Sequence, residues 1–455
     1  MLTAAFLLHP YPNVRAEEGD SHARQVKLSV TSPGSNFNPK KMLDNDEYTY
    51  AFAYKPTELI ISSDEAFKSI YLKFEKNYNW IIKLPDGQTI KPEKEDFIHK
   101  YLTFDQAITS FRLSLPLYCA VTDIYAFTDG QPPEWVQIWQ PPCDRADLML
   151  MPTHADDEYL WFGGTLPYYA GELGYEVQVV YLTNHNNATY RNHERLNSLW
   201  TVGVRHYPVI SSFTDVKETK RGEYEAGRIF GYKKVMAFQV EVLRRFKPRV
   251  VIAHDYNGEY GHGAHKLNAR TLLKALPLTD NASEYPKSAE KYGTCKIQKC
   301  YLHLWKENPI EVSWSDKTLS KFGGKTALEM AAEGYKCNVS QKLRVKMKES
   351  GAYDCRKFGL AYTNVGYDTP GVNDFFENVD WSGKKGRVDD SSSEPQTEVT
   401  ESVSTADHSR EDRPVSPSDQ DSMKARSWLL LIAVAAAVVF IAAVCAMLMR
   451  FRKRS

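Results

Sequence analysis

The chain carries no excess of either charge: 57 Lys and Arg balance 57 Asp and Glu. A basic field for nucleic acid is therefore absent, and no nucleic-acid partner is expected. None of its seven cysteines forms a Cys-x-x-Cys pair, which excludes a structural zinc site of closely spaced thiolates. The sequence has no internal repeat, which argues against a solenoid or propeller. The opening "MLTAAFLLHPYPNVRA" has a short apolar stretch but lacks the basic flank of an export signal. Only one apolar run is long enough to cross a bilayer.

That run is "SWLLLIAVAAAVVFIAAVCAMLM", Ser427 to Met449, without a charged residue and with Trp428 at its entrance. Arg450, Arg452, Lys453 and Arg454 follow it, against Lys424 and Arg426 before it. The bias predicts a single-pass helix over 427–449, a cytoplasmic tail at 450–455 and an extracytoplasmic body at the cell membrane. Such an orientation requires export, so residues 1–25 read as a leader, a truncated signal peptide. Residues 379–426, rich in Ser, Asp, Glu and Pro, cannot bury enough apolar surface to order themselves and read as a stalk. Cys445 lies in the span; Cys119, Cys143, Cys295, Cys300, Cys337 and Cys355 remain, an even number that permits disulfides. Asn187, Asn281 and Asn338 head Asn-x-Ser/Thr acceptors for glycosylation.

Between these ends the chain changes character once. From 26 to 130, "ELIISS", "SIYLKF", "WIIKL", "SFRLSL" and "VTDIYAF" are short β-prone runs separated by breakers such as "LPDGQ". Their spacing predicts an all-β sandwich. "SVTSPGSNFNPKKMLDNDEYTYA" and the later "FRLSL…VTDIYAF" resemble the discoidin, or galactose-binding-like, family, which implies a carbohydrate-binding accessory domain. A Pro-rich connection occupies 131–146. Over 147–378 the pattern becomes α/β. "ADLMLMPT", "YEVQVVYLT" and "PRVVIAHD" are continuous apolar strands, each followed by a helical stretch, the pattern of a Rossmann-like parallel sheet. In such a sheet ligands bind at the carboxyl ends of the strands.

Two of those ends carry unusual chemistry. "MPTHADDEYLWFGG" sets His154, Asp156, Asp157 and Glu158 close to a greasy strand, where carboxylates are costly unless paired or bound to metal. His154 and Asp157, three apart, can point to one side of a strand-to-helix turn and share an ion. "GHGAH" supplies His262 and His265 past another strand end, and His265 can complete a three-ligand zinc site open to water. Asp156 is then free to act as base, and His262 as acid or oxyanion partner. The plainer reading is that Asp156 or Asp157 merely caps the helix that follows.

"PTHADDEYLWFGGTL" resembles the His-Pro-Asp-Asp-Glu signature of the LmbE-like, or PIG-L, deacetylases. "VVYLTNH", "RNHERLNSLWTVGV", "GEYGHGAH" and the Ser-Gln-like "KTALEMAAEGYKCNVSQ" follow in that family's order. The resemblance implies a zinc-dependent removal of N-acetyl groups from amino sugars, with His154, Asp157 and His265 as ligands. It also implies Asp156 as general base, His262 as acid, and Arg191 and Glu194 as substrate-binding residues. Ala155 replaces the usual Pro. Ala264 replaces the Asp that orients the acid histidine in many members, leaving Asp255 or Glu259 as substitutes. The rival expectations are a surface glycan-binding protein with a degenerate domain, and an esterase using the same metal site.

Overall fold

The computed structural model describes residues 22–34, 37–93, 97–341 and 345–382. The chain divides into units 1–383 and 384–455, and all described residues belong to the first. The expected span, its tail and almost all of the stalk and leader lie outside the described residues. Among the described residues no helix is long and apolar enough to cross a membrane.

Among the described residues eight strands form the N-terminal region: β1 Gln25–Val26, β2 Ser29–Thr31, β3 Ala51–Ala53, β4 Thr57–Phe74, β5 Ile81–Lys83, β6 Thr89–Ile90, β7 His99–Leu115 and β8 Cys119–Phe127. They make one sheet with the order β1-β8-β4-β7-β5-β6, with β2 on β4 and β3 on β8, every pairing antiparallel. Two runs expected as separate strands, "ELIISS" and "SIYLKF", are halves of β4. Register shifts between Ser62 and Ser69 bend that strand against β7, as bulges do. Leu59, Ile61, Phe67, Leu72, Phe111 and Leu113 fill the core. All nine residues of β8 are buried, because its second face lies under Ala23, Tyr71 and Val136. The folded region therefore starts before 26, and the Pro-rich connection packs on it.

The α/β body follows as β9 Leu148–Met151, α1 Asp157–Leu160, β10 Val177–Tyr181, α2 Tyr190–Thr201, β11 Val209–Ile210, α3 Glu223–Phe230, α4 Tyr232–Phe246, β12 Val250–Ala253, α5 Gly263–Ala275, α6 Pro286–Tyr292, β13 Lys299–His303, β14 Pro309–Glu311, α7 Ala327–Lys336 and β15 Lys357–Thr363. The sheet order is β11-β10-β9-β12-β13-β15-β14, parallel from β11 to β13 and antiparallel beyond. Leu148, Leu150, Val179 and Ile252 face one apolar cluster, while Met149, Met151, Val180 and Val251 face another. With both faces covered, β9 and β12 are apolar throughout. The body extends past 378: Val379 is buried and Trp381 stacks on Phe376 at 5.4 Å. All six cysteines among the described residues are free thiols, so the disulfides that the sequence permits do not form.

From β9 the chain moves to β10 on one side and later to β12 on the other. The carboxyl ends of β9 and β12 thus flank the point where strand order reverses, where crevices open in such sheets. Both histidine-rich segments begin there.

Candidate metal centre and active site

His154 leaves β9 in a turn, and Asp157 opens α1. His154 Nδ1 lies 3.1 Å from Asp157 Oδ2 and 3.2 Å from His265 Nε2, and His265 Nε2 lies 3.3 Å from Asp157 Oδ2. Three donors bound at ~2.0–2.1 Å in tetrahedral directions stand roughly 3.3 Å apart. The buried triangle therefore fits a divalent ion. Other histidines stand close enough to compete, since His154, His262 and His265 cluster and so do Asp157, His254 and His265. His254 Nε2, however, accepts the Thr153 backbone N–H at 2.9 Å, and its Nδ1 meets Glu259 at 2.8 Å, so both of its nitrogens are engaged.

Asp157 is fixed from several sides. Its Oδ2 accepts the His154 backbone N–H at 2.7 Å and its Oδ1 accepts Trp161 Nε1 at 2.8 Å. Burial alone would raise its pKa, but His265 and His154 hold it well below the usual carboxylate range. His265 is supported from behind: its Nδ1 meets Glu259 Oε2 at 2.7 Å. Glu259 is fully buried and also meets His254 and, through Oε1, His303 at 2.8 Å. Burial opposes its charge, yet His254, with hydrogen bonds from all three rings, keeps its pKa well below normal. A carboxylate behind a ligand imidazole fixes the ring and strengthens its donor nitrogen.

Asp156 does not act as a cap. It occupies the N-cap position of α1, but its side chain makes no capping bond, and its φ of 105° places a non-glycine residue in the left-handed region. Such backbone costs about 1–3 kcal/mol and collects at functional sites. Burial, then the charge of Asp157, raises its pKa to about 7 against the opposing pull of Arg191. Arg191 Nη2 lies 3.8 Å from Asp156 Oδ2 and also donates to the Ala155 carbonyl.

His262 stands 4.9 Å from His154 and 4.3 Å from His265, ring centre to ring centre. Among the described residues its Nδ1 has no hydrogen-bond partner. Burial, then the charges of His265 and His154, pushes its pKa down to about 2. Neither expected substitute for the missing orienting acid reaches it: Glu259 serves three other histidines, and Asp255 Oδ1 accepts the Asn257 amide. Ala264 itself is buried among Leu182, Phe230 and Leu267, so that position is used for packing.

A cavity of about 350 Å³ lies over these groups, lined by His154, Asp156, Asp157, Arg191 and His262 and walled by Tyr260, Tyr335 and Ser340. Asp215 and Lys220 line it too. Sequence reasoning missed both, because they sit in an irregular loop with no periodicity. Asp215 Oδ1 is 3.5 Å from His154 Nε2. Gly263 lets that loop approach, since a Cβ there would lie 2.1 Å from the Gly222 carbonyl oxygen. His254, Glu259 and His303 were also missed as supports. Their only signal is that polar residues follow buried strands.

Glu194 does not line the cavity. Its Oε1 accepts Tyr48 Oη–H and the Ser340 amide, each at 2.6 Å, and its Oε2 accepts Ser340 Oγ–H at 2.6 Å. Tyr190, His193, Glu194 and Asn197 form one stripe of α2 facing the β-rich region. His193 Nδ1 meets His99 Nε2 at 2.8 Å, and Asn197 bonds Glu47. A helix face that would read as solvated is covered by the preceding domain.

Fold and site together define a mixed α/β domain with a candidate metal centre at its switch point. Residues 148–276 match the family model PIG-L, GlcNAc-PI de-N-acetylase, and this stretch is a PIG-L/LmbE-like domain. A 1D-myo-inositol 2-acetamido-2-deoxy-alpha-D-glucopyranoside deacetylase of Streptomyces scabiei is 25% identical over 177 residues, 33% of this chain and 54% of that protein. Its counterpart from Rhodococcus erythropolis is 27% identical over 174 residues, 33% and 59% of the two chains. The chain thus spans little more than half the length of these curated relatives. Among solved structures, the N,N'-diacetylchitobiose deacetylase from Pyrococcus horikoshii is similar at 17% identity and a TM-score of 0.34, covering 45% of this chain and 74% of that one.

Proposed function

We propose that the protein is a zinc-dependent hydrolase that removes N-acetyl groups from amino sugars of N-acetylglucosamine type, in a glycan or glycoconjugate at the cell surface. The observation that carries the reading is the buried triangle of His154, Asp157 and His265 with Asp156 and His262 beside it. The match of 148–276 to a de-N-acetylase family and the named activities of the relatives support it. The apolar run at 427–449 and its basic flank support membrane anchorage.

His154, Asp157 and His265 would hold the ion, which when bound supplies Lewis acidity and makes water nucleophilic near neutral pH. Asp156, with a pKa near 7, takes the proton from the attacking water. Arg191 holds Asp156 and the Ala155 carbonyl in place. His262 lies across the cavity, where its neutral ring donates a hydrogen bond to the carbonyl oxygen as charge builds, and Asp156 hands the proton it took from water to the departing amine. Glu194 fixes the Ser340 wall rather than touching the sugar.

Acetate release from a panel of acetylated saccharides, with zinc added, tests the reading. Wild-type protein is expected to release acetate and Asp156→Ala to lose that release; unchanged release in Asp156→Ala would overturn it. The unpartnered Nδ1 of His262 favours a second reading, a glycan-binding protein with weakened catalysis. Saturable glycan binding without acetate release would select it. Acetate released from O-acetyl but not N-acetyl sugars would identify an esterase.

A further inference from the structure

A second cavity, of about 500 Å³, opens between the β-rich region and the α/β body and shares no lining residue with the first. Among the described residues its lining includes Lys76 from the first domain and Arg195 and Arg245 from the second, with no Asp or Glu. Arg195 is the informative member. It is 2% exposed, and its Nη2 donates to Asn192 Oδ1 at 2.7 Å. Its Nε and Nη1 have no hydrogen-bond partner among the described residues. The guanidinium lies 5.0 Å over the Tyr181 ring. Glu158, whose charge favours the cation, makes no hydrogen bond to it: its Oε2 accepts the Asp156 amide and its Oε1 has no partner.

A buried guanidinium with unmade hydrogen bonds is costly, and a native chain keeps one where something supplies the missing acceptors. Water can satisfy N–H groups but adds no negative charge to that of Glu158. The cavity adds two more cations and the side chains of Asn186 and Asn192, which carry amide donors. Such a set suits a compact polyanion more than a single carboxylate, because a phosphoryl group offers three acceptor oxygens and close to two negative charges at neutral pH.

We propose that this cavity is a binding site for a phosphoryl group, as free phosphate or carried on a small sugar. The site does not depend on the deacetylase reading, and its test needs no turnover. Inorganic phosphate is titrated calorimetrically into the full chain, metal-loaded and again after metal removal. One saturable phosphate per chain is expected in both states. Arg195→Lys and the rim double variant Lys76→Ala/Arg245→Ala are each expected to weaken it by at least about tenfold; the rim variant serves if the buried change impairs folding. A parallel titration with glucose 6-phosphate separates the sources. Tighter binding than phosphate assigns a sugar phosphate; equal or weaker binding assigns the free ion. No saturable binding, binding that disappears with the metal, or unchanged affinity in the rim variant would overturn the proposal.

Discussion

His262 and His265 stand almost one helical turn apart at the start of α5, yet the partners of their ring nitrogens differ. His265 faces Asp157 and His154 with one nitrogen and Glu259 with the other. His262 faces the cavity, and its Nδ1 meets nothing. Burial is similar for both, at 0% and 1% exposed, so burial does not separate them. The difference lies in the carboxylate behind the ring. A ring held from behind is a fixed electron donor suited to metal. A ring with a bare nitrogen in a cationic neighbourhood stays neutral and is left with one N–H to donate as a hydrogen bond.

The sharpest way to break this contrast is to remove each ring in turn. His265→Ala is expected to cost the metal and all activity together, read by metal content after dialysis. His262→Ala should keep a full metal complement while kcat falls about 10²- to 10³-fold, the worth of one oxyanion donor. Equal metal loss in both variants would erase the distinction. A finer test is Glu259→Gln, which keeps shape and removes charge; metal affinity should drop about 10- to 100-fold in a chelator competition. The smallest effect is expected far from either ring. Tyr48→Phe deletes one hydrogen bond to Glu194, lowering stability by about 1 kcal/mol in urea unfolding. It should raise KM more than it lowers kcat, because Glu194 holds the Ser340 wall rather than the metal.

How far the sequence carried the reading also differs between the two histidines. That His154, Asp156, Asp157 and His265 come together was legible because their segments follow continuous apolar strands, and parallel strands place their carboxyl ends together. The supports were not. Glu259 stands in a turn whose partners come from three separate segments, and no spacing in "DYNGEYGHGAH" shows which ring it will meet. Its assignment as a stand-in orienter for His262 reversed once its three partners were in view. The same holds for Glu194, whose partners Tyr48 and Ser340 lie 146 residues away on either side. In the β-rich region the runs were visible, but the bulges that fuse two of them into β4 were not, because a register shift leaves no mark on alternation.

The central claim is that one divalent ion sits among His154 Nδ1, Asp157 Oδ2 and His265 Nε2. Crystals grown with zinc and measured at its absorption edge test it most directly. The account predicts a single anomalous peak within about 2.0–2.2 Å of all three atoms, with His254 still bonded to Thr153 and Glu259. A peak coordinated by His254 or His262 in place of His154, or no peak in this cavity, would contradict it.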